Sequence, residues 1–184
     1  MNIDWTYELA EQLDWHWREH ARPRLDGLTD DEYFWEPVPG CWNVRPRPAD
    51  GGGPGAGAFT VDFVFPAPSP APVTTIAWRL SHIIVGILGM RVAGHFGGPS
   101  VSYETYPYAG SAADALAQLD SAYELWIKGV RGLGAEDLAR ECGQAEPLYP
   151  NSPVAALVLH INREMIHHGA EIALLRDLYL WKES

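Results

Sequence analysis

The sequence predicts an all-α fold, a four-helix bundle, for the 184 residues of the chain. Four stretches carry apolar residues at helical spacing, and the segments between them are rich in proline and glycine. The composition, with 47% hydrophobic residues and eight tryptophans, is sufficient for a well-packed core. One domain spanning residues 1–184 therefore accounts for the whole chain.

The first half of the bundle is predicted from two helices. The first runs over about residues 5–22, with Leu9, Leu13 and Trp17 on one face, and it ends near Pro23. Thr29 is expected to cap a short turn whose first residues are acidic. The second helix covers about residues 75–96, starting at the "PVTT" cap and ending at the glycines 97–98.

The second half of the bundle is predicted from two further helices. The third runs over about residues 111–133 and stops at "GLG". The fourth runs over about residues 152–181, with Ser152 as the expected N-cap and Pro153 at the first helical position. Leu157, Ile161 and Met165 lie on its apolar face.

Residues 45–72 form a long proline- and glycine-rich insertion between the first two helices. Proline and glycine recur too often for a helix, so a loop is expected. Within it "FTVDFVF" alternates as a short strand does. Two interpretations are open, since a loop of this length is either a lid over a functional site or an ordinary solvated insertion.

Composition excludes several classes of partner and points to the cytoplasm. The formal net charge of -11 argues against binding to nucleic acid or to an anionic membrane. Two cysteines are too few for a disulfide framework, and the N-terminus lacks the apolar core of a signal peptide. The longest apolar stretch, "IIVGILGM", is too short to span a bilayer. We therefore expect a cytoplasmic protein with a small-molecule substrate.

The fourth helix carries an unusual group of ionisable residues. His168 lies within its apolar face, with Glu164 one turn before it and Glu171 three residues after it. His167 lies nearer the polar edge. A carboxylate on a buried face is costly unless something neutralises it, and a divalent cation does so efficiently. The spacing therefore indicates a metal site.

The second helix offers one further ligand, His82, among aliphatic side chains. If the second and fourth helices are neighbours, His82, Glu164 and His168 can bind one metal ion and leave a fourth position open. Glu171 would then be a fourth ligand or the acceptor for an imidazole N–H. A second interpretation is that His168 is a hydrogen-bonded core residue, as inward histidines often are.

Three segments together resemble the DinB-like family of four-helix metalloproteins, and more narrowly its mycothiol-dependent maleylpyruvate isomerase type. They are "GLTDDEYFWEPVPGCWNVRP", "TIAWRLSHI" and "HINREMIHHGAEIALLRDLY". The resemblance implies metal ligation by His82, from a W-x-x-x-H pattern, and by Glu164 and His168, from the E-x-x-x-H of the isomerase branch. The more common H-x-x-x-H is absent, and residues 45–72 have no counterpart in the family pattern.

The same resemblance implies a function. Zinc or nickel is expected, with a low-molecular-weight thiol as co-substrate, in a thiol transferase or thiol-dependent isomerase. Glu171 or His167 would accept a proton, Arg163 or Arg79 would orient an anionic substrate, and a homodimer is implied. Two alternatives share the same site: hydrolysis by a metal-bound water, and a non-catalytic bundle that keeps the metal for stability.

Overall fold

The computed structural model describes residues 3–66 and 68–182. Its α-helices are α1 (Trp5–His16), α2 (Asp30–Tyr33), α3 (Ile76–His82), α4 (Met90–Phe96), α5 (Ala112–Arg131), α6 (Ala135–Ala139) and α7 (Val154–Leu180). π-Helical segments extend α1 over Trp17–Ala21 and join α3 to α4 over Ile83–Gly89. Short 3₁₀ turns lie at Pro23–Leu25 and Gly143–Ala145. The predicted all-α fold is confirmed.

Four long helical rods form the bundle: α1 with its π extension, the continuous rod from α3 to α4, α5, and α7. The first rod packs against α5 and α7, and the second rod packs against the same two helices. Helix α7 is therefore a neighbour of the rod formed by α3 and α4. The predicted metal site requires this arrangement.

The starts of α1, α2, α3 and α5 follow local capping signals. Asp4, Thr29, Thr75 and Ser111 each accept a hydrogen bond from a backbone N–H in the first turn of the helix that follows. At the other end of the second rod, Gly97 adopts a left-handed conformation with φ 69°, which glycine tolerates without steric cost.

The predicted cap of α7 is wrong. The N-cap is Pro153, not Ser152, and it supplies no side-chain hydrogen bond. The carbonyl of Ser152 accepts from the Cys142 N–H at 2.9 Å, and Pro153 bridges to Glu141. This pairing holds residues 152–153 extended, so the helix starts one residue later than the Ser-Pro signal indicates.

A small antiparallel hairpin lies within the proline- and glycine-rich region. Strand β1 (Val44–Pro46) pairs with β2 (Phe59–Val61), with Val44 opposite Val61. The short strand predicted in "FTVDFVF" is confirmed, whereas its partner β1 was not predicted. Trp78 of α3 donates its indole N–H to the Asp62 carbonyl at 2.7 Å. The hairpin is thereby attached to the rod that carries His82.

Buried ion pairs and aromatic residues hold the rods together. Trp126, Tyr123 and Tyr33 are fully buried in the core, and Tyr123 stacks on Trp17 with ring centroids 4.1 Å apart. The buried Glu32 of α2 accepts two hydrogen bonds from the Arg176 guanidinium of α7 at 2.7 and 3.2 Å. Such paired contacts satisfy charges that would otherwise be costly to bury.

One helical stretch, Ile76–Phe96, is long and apolar enough to cross a membrane by length and composition. The most apolar window within it is 67% buried inside the bundle. That degree of burial is typical of a core helix.

Candidate metal centre

The candidate metal centre lies where α7 packs against the rod formed by α3 and α4. It is centred on His82 and His168. His82 is the last residue of α3, where the π-helical segment begins. His168 lies in the interior of α7, and its ring meets the His82 ring edge-on with centroids 4.9 Å apart at 86°. Two helices that are distant in sequence therefore bring two imidazoles into contact.

The two ring nitrogens of His168 have different surroundings: Nδ1 is hydrogen-bonded, whereas Nε2 has no such bond to any residue that the structure describes. The residue is buried, and its Nδ1 lies 2.7 Å from Glu171 Oε2 and 3.3 Å from Arg79 Nη1. Because an ionised carboxylate only accepts, the shorter contact is Nδ1–H donating to Glu171. In a neutral imidazole Nε2 then carries the lone pair. Nε2 lies 3.6 Å from Glu164 Oε2, which is too long for a hydrogen bond.

Burial keeps both imidazoles neutral. It lowers the pKa of His82 to about 3, with further contributions from His168 when that ring is protonated and from the Arg79 and Arg91 charges. Burial also lowers the pKa of His168, although the hydrogen bond to Glu171 opposes the shift. Neutral imidazole is the form that binds a metal ion, so both side chains are available as ligands at neutral pH.

The His82 ring is held on two sides by aromatic groups. Trp78, one turn earlier, stacks on it with centroids 5.2 Å apart at 18°. The Tyr103 hydroxyl, from the segment after α4, lies 2.6 Å from His82 Nδ1. A hydrogen bond at Nδ1 fixes the rotation of the ring about its χ2 angle, and Nε2 is left free of that contact.

Gly86 makes room for the Tyr103 hydroxyl. It lies one turn after His82, and a Cβ atom built there would collide with the Tyr103 hydroxyl and lie 3.1 Å from His82 Nδ1. Any larger side chain at this position would displace the phenol from the imidazole.

Arg79 completes the polar surroundings of His168. Its Nε lies 3.1 Å from Glu171 Oε2, the same oxygen that accepts from His168 Nδ1. Burial lowers the pKa of Arg79, and the Glu171 carboxylate opposes that shift. Arg79, one of the two arginines predicted to orient an anionic substrate, has its guanidinium engaged by Glu171.

Glu164 lies on the side of His168 that is opposite to Glu171, and it contacts the more exposed part of α7. His160 Nδ1 lies 3.5 Å and Arg163 Nε lies 3.4 Å from Glu164 Oε1. Its second oxygen, Oε2, is the one that faces His168. The carboxylate is therefore shared between a buried histidine and two residues near the surface.

Two of the three predicted donor atoms, on Glu164 and His168, are spaced as a divalent transition metal requires. Zinc binds imidazole nitrogen and carboxylate oxygen at roughly 2.0–2.2 Å, so two ligand atoms of one ion are separated by less than about 4.4 Å. The Glu164 Oε2 to His168 Nε2 distance of 3.6 Å meets this limit. A second, overlapping group is His167, His168 and Glu171, whose ligand atoms all lie within 4.8 Å of one another. His168 belongs to both groups.

Each residue predicted for the site lies at the interface of the two helices or on its rim. His82 contacts His168, His168 faces Glu164, and His167 Nε2 lies 3.5 Å from Glu171 Oε1. The ligand set itself stays a prediction. Sequence reasoning missed Tyr103 and Gly86, and the only signals were a tyrosine-rich "YETYPY" loop and a glycine one turn after the histidine.

The fold and this group of side chains define a four-helix bundle with a candidate metal site built from histidine and glutamate. The family model of the DinB superfamily matches residues 12–172. The chain belongs to the DinB superfamily, as the resemblance in the sequence indicated. Comparison with curated proteins and with solved structures gave no match.

Proposed function

We propose that the protein is a metal-dependent enzyme of the thiol-transferase or thiol-dependent isomerase type, with the metal held by His82, Glu164 and His168. The observation that carries this proposal is the arrangement around His168. Its Nδ1 is bound to Glu171 at 2.7 Å, while its Nε2 faces a carboxylate oxygen at 3.6 Å without a hydrogen bond. Imidazole and carboxylate ligands suit zinc and nickel.

Two contacts favour this ligand set over His167, His168 and Glu171. The His168 Nδ1–H is already donated to Glu171, and a nitrogen that carries a proton offers no lone pair to a metal. The Arg79 guanidinium lies 3.1 Å from the same Glu171 oxygen and would repel a cation placed there. Glu171 therefore acts as the residue that orients His168, in the manner of a carboxylate–histidine–metal arrangement.

The residues that the structure describes, which include both cysteines, offer no evident nucleophile, and this supports a thiol as co-substrate. Both cysteines are buried, and burial raises the pKa of the Cys142 thiol, so thiolate is disfavoured there. A bound transition metal with an open position would stabilise the thiolate form of a low-molecular-weight thiol at neutral pH. The E-x-x-x-H spacing of Glu164 and His168 is the feature that favours the isomerase branch.

His167 is the residue best placed to take the proton that the thiol releases. Its side chain is 61% exposed and lies next to the buried His168, with ring centroids 4.9 Å apart. Glu171 Oε1, 3.5 Å from His167 Nε2, would stabilise the protonated imidazole. When the thiol binds as a thiolate, its S–H proton would pass to His167, and after the sulfur adds to a carbon electrophile this proton would return to the adduct.

The test measures metal content and thiol conjugation together. Protein stripped with a chelator and reloaded with zinc or nickel should bind one metal per chain and accelerate the reaction of mycothiol, bacillithiol or glutathione with monobromobimane. Glu164→Gln should lose at least about tenfold in metal affinity, because one charged ligand is removed. Glu124→Gln, an exposed carboxylate of α5, is the matched control and should behave as the wild type.

Two results would count against the proposal. If no thiol reacts faster with the reloaded protein than with stripped protein, the thiol chemistry is wrong. If the double variant Glu164→Ala/His168→Ala loses the metal and melts at a lower temperature, and the wild type has no turnover, the site is structural.

A further inference from the structure

A pocket of about 440 Å³ opens along the first half of α7, and its lining includes none of the proposed metal ligands. Its walls are the start of α4, the connection between α6 and α7, and the first half of α7. This volume is within the range of small-molecule sites, about 300–1,000 Å³. The pocket is large enough to hold a small organic substrate.

Two pocket residues join it to the metal centre. His160 and Arg163 line the pocket, and they lie 3.5 and 3.4 Å from Glu164 Oε1. A molecule that contacts them would have one end within a few side-chain atoms of the proposed metal ligand. The pocket therefore lies on the Glu164 side of the site.

The charges along the pocket favour an anion. Glu146, its one acidic lining residue, is neutralised by Arg91 Nη2 at 3.1 Å and approached by His95 Nε2 at 3.4 Å. Arg163 is 69% exposed and donates to His160 Nδ1 at 2.6 Å through Nη2. Within the described residues its Nη1 makes no hydrogen bond. The Arg163 guanidinium in the pocket lining therefore has Nη1 available to donate to a carboxylate.

The remaining walls are largely apolar. Met90, Leu157 and the highly exposed Leu148 contribute hydrocarbon surface beside the arginine. An exposed leucine at the rim of a pocket is expected where a ligand covers it for part of the time. A suitable ligand therefore combines one anionic group with a hydrocarbon body.

From these features we infer that the pocket is the substrate chamber and takes an organic carboxylate, with the carboxylate on Arg163 and the hydrocarbon body against Met90, Leu148 and Leu157. This assignment rests on the proposed function for the link to the reacting centre. The binding step itself depends only on the pocket and can be measured in metal-free protein.

The experiment is isothermal titration calorimetry of octanoate and of its neutral counterpart octanamide into stripped protein. Octanoate should bind with one site per chain and at least about tenfold more tightly than octanamide, because a charge-assisted hydrogen bond to Arg163 is lost in the amide. Arg163→Gln should remove that difference. Arg18→Gln, which removes a half-exposed arginine of the first rod, is the matched control and should keep it.

A second variant tests the location. Ala156→Trp places a bulky ring on an exposed position of the pocket wall, so it should abolish octanoate binding without disturbing the core. Equal affinity for octanoate and octanamide, an Arg163→Gln variant that matches Arg18→Gln, or unchanged binding in Ala156→Trp would each overturn the inference. Failure of thiol conjugation with intact octanoate binding would overturn the proposed function alone.

Discussion

Two residues outside the proposed ligand set fix the orientation of the two histidine rings. Glu171 holds His168 through Nδ1 at 2.7 Å, and Tyr103 holds His82 through Nδ1 at 2.6 Å. Both contacts leave Nε2 as the nitrogen directed away from the orienting group. The two imidazoles are therefore presented in the same way by chemically different partners, one carboxylate and one phenol.

Tyr103→Phe tests this role for the phenol. The variant keeps the ring that stacks on Phe63 with centroids 4.9 Å apart but loses the hydroxyl. Metal affinity, measured by competition with a chromogenic chelator, should fall by about 10- to 100-fold, as for other groups that orient metal-binding histidines. The melting temperature of the metal-free protein should change little.

Two further variants complete this test. Gly86→Ala should lower metal affinity in the same way, because its methyl group would displace the Tyr103 hydroxyl. Tyr106→Phe removes a hydroxyl from the same loop without touching His82 and should bind metal as the wild type does. If Tyr103→Phe binds metal as tightly as Tyr106→Phe, the orienting role is wrong.

Asp14 is a buried carboxylate that links the first rod to α5. Burial raises its pKa, but hydrogen bonds from Tyr123, Arg131 and Arg18 and the Arg131 charge outweigh burial, so the pKa lies below the usual 3.8. The Tyr123 hydroxyl donates at 2.8 Å and Arg131 Nη2 at 2.6 Å. Ionised Asp14 therefore stabilises the folded state.

The pH dependence of Asp14→Asn follows from this shift. Because the folded-state pKa is depressed, the stabilisation is fully present above the unfolded pKa of about 3.9 and disappears as the pH falls through the folded value. At pH 7 the variant should lose about 2 kcal/mol of unfolding free energy, measured by urea denaturation. Below about pH 3 the difference from wild type should shrink.

Glu11→Gln is the control for that experiment. Its carboxylate also pairs with Arg18, at 3.2 Å, but the pair is exposed. It should cost less than about 0.5 kcal/mol at pH 7. An Asp14→Asn variant as stable as Glu11→Gln would contradict the assignment.

At the level of elements, two helical glycines differ in how closely a neighbouring helix packs against them. Gly129 of α5 lies against the Phe96 ring of α4, and a Cβ atom there would collide with that ring. Gly169 of α7 has nothing within 4 Å of a Cβ position. The first glycine allows two rods to approach, whereas the second only lowers helix propensity.

The two alanine variants should therefore act in opposite directions. Gly129→Ala should lower the free energy of unfolding by about 2 kcal/mol through overpacking against Phe96. Gly169→Ala should raise it by up to about 1 kcal/mol, since alanine favours the helix and meets no neighbour. Chemical denaturation of both variants decides the matter, and equal effects in the same direction would refute the packing argument.

The start of a helix could be predicted from the sequence where an N-cap side chain determines it. It could not be predicted where backbone pairing with a distant residue determines it. Thr29, Thr75 and Ser111 cap as their sequence contexts predict. The Ser152 signal failed because Cys142 pairs with its carbonyl and holds the chain extended. Strand β1 was missed because three residues ending in proline carry no alternation pattern of their own.

At the level of the whole molecule, α7 leaves part of its apolar surface uncovered. Leu159, Ile166 and Leu174 are exposed, and they lie within about 80° of one another around the helix axis at about 100° per residue. A homodimer, which the family resemblance implies, would cover this stripe. Because each copy carries the stripe, the contact would be isologous.

Sedimentation velocity tests this dimer. The wild type should sediment as a dimer at micromolar concentration, and Leu159→Glu/Leu174→Glu should sediment as a monomer with unchanged helix content, because two buried charges would oppose the contact. Leu148→Glu changes an equally exposed leucine in the connection before α7 and serves as the control. A monomeric wild type would remove the proposal.

The sequence by itself determined the four helices, most of their caps and the face of α7 on which Glu164, His168 and Glu171 lie, because helical spacing and capping are local properties of the chain. Only the tertiary structure decided that the α3 rod packs beside α7, that Tyr103 reaches His82 across Gly86, and that Arg79 binds Glu171. These contacts join residues up to 92 positions apart in the sequence, from Arg79 to Glu171. These contacts form only when particular helices pack together, and the residue spacing within one helix does not specify which helix will be its neighbour.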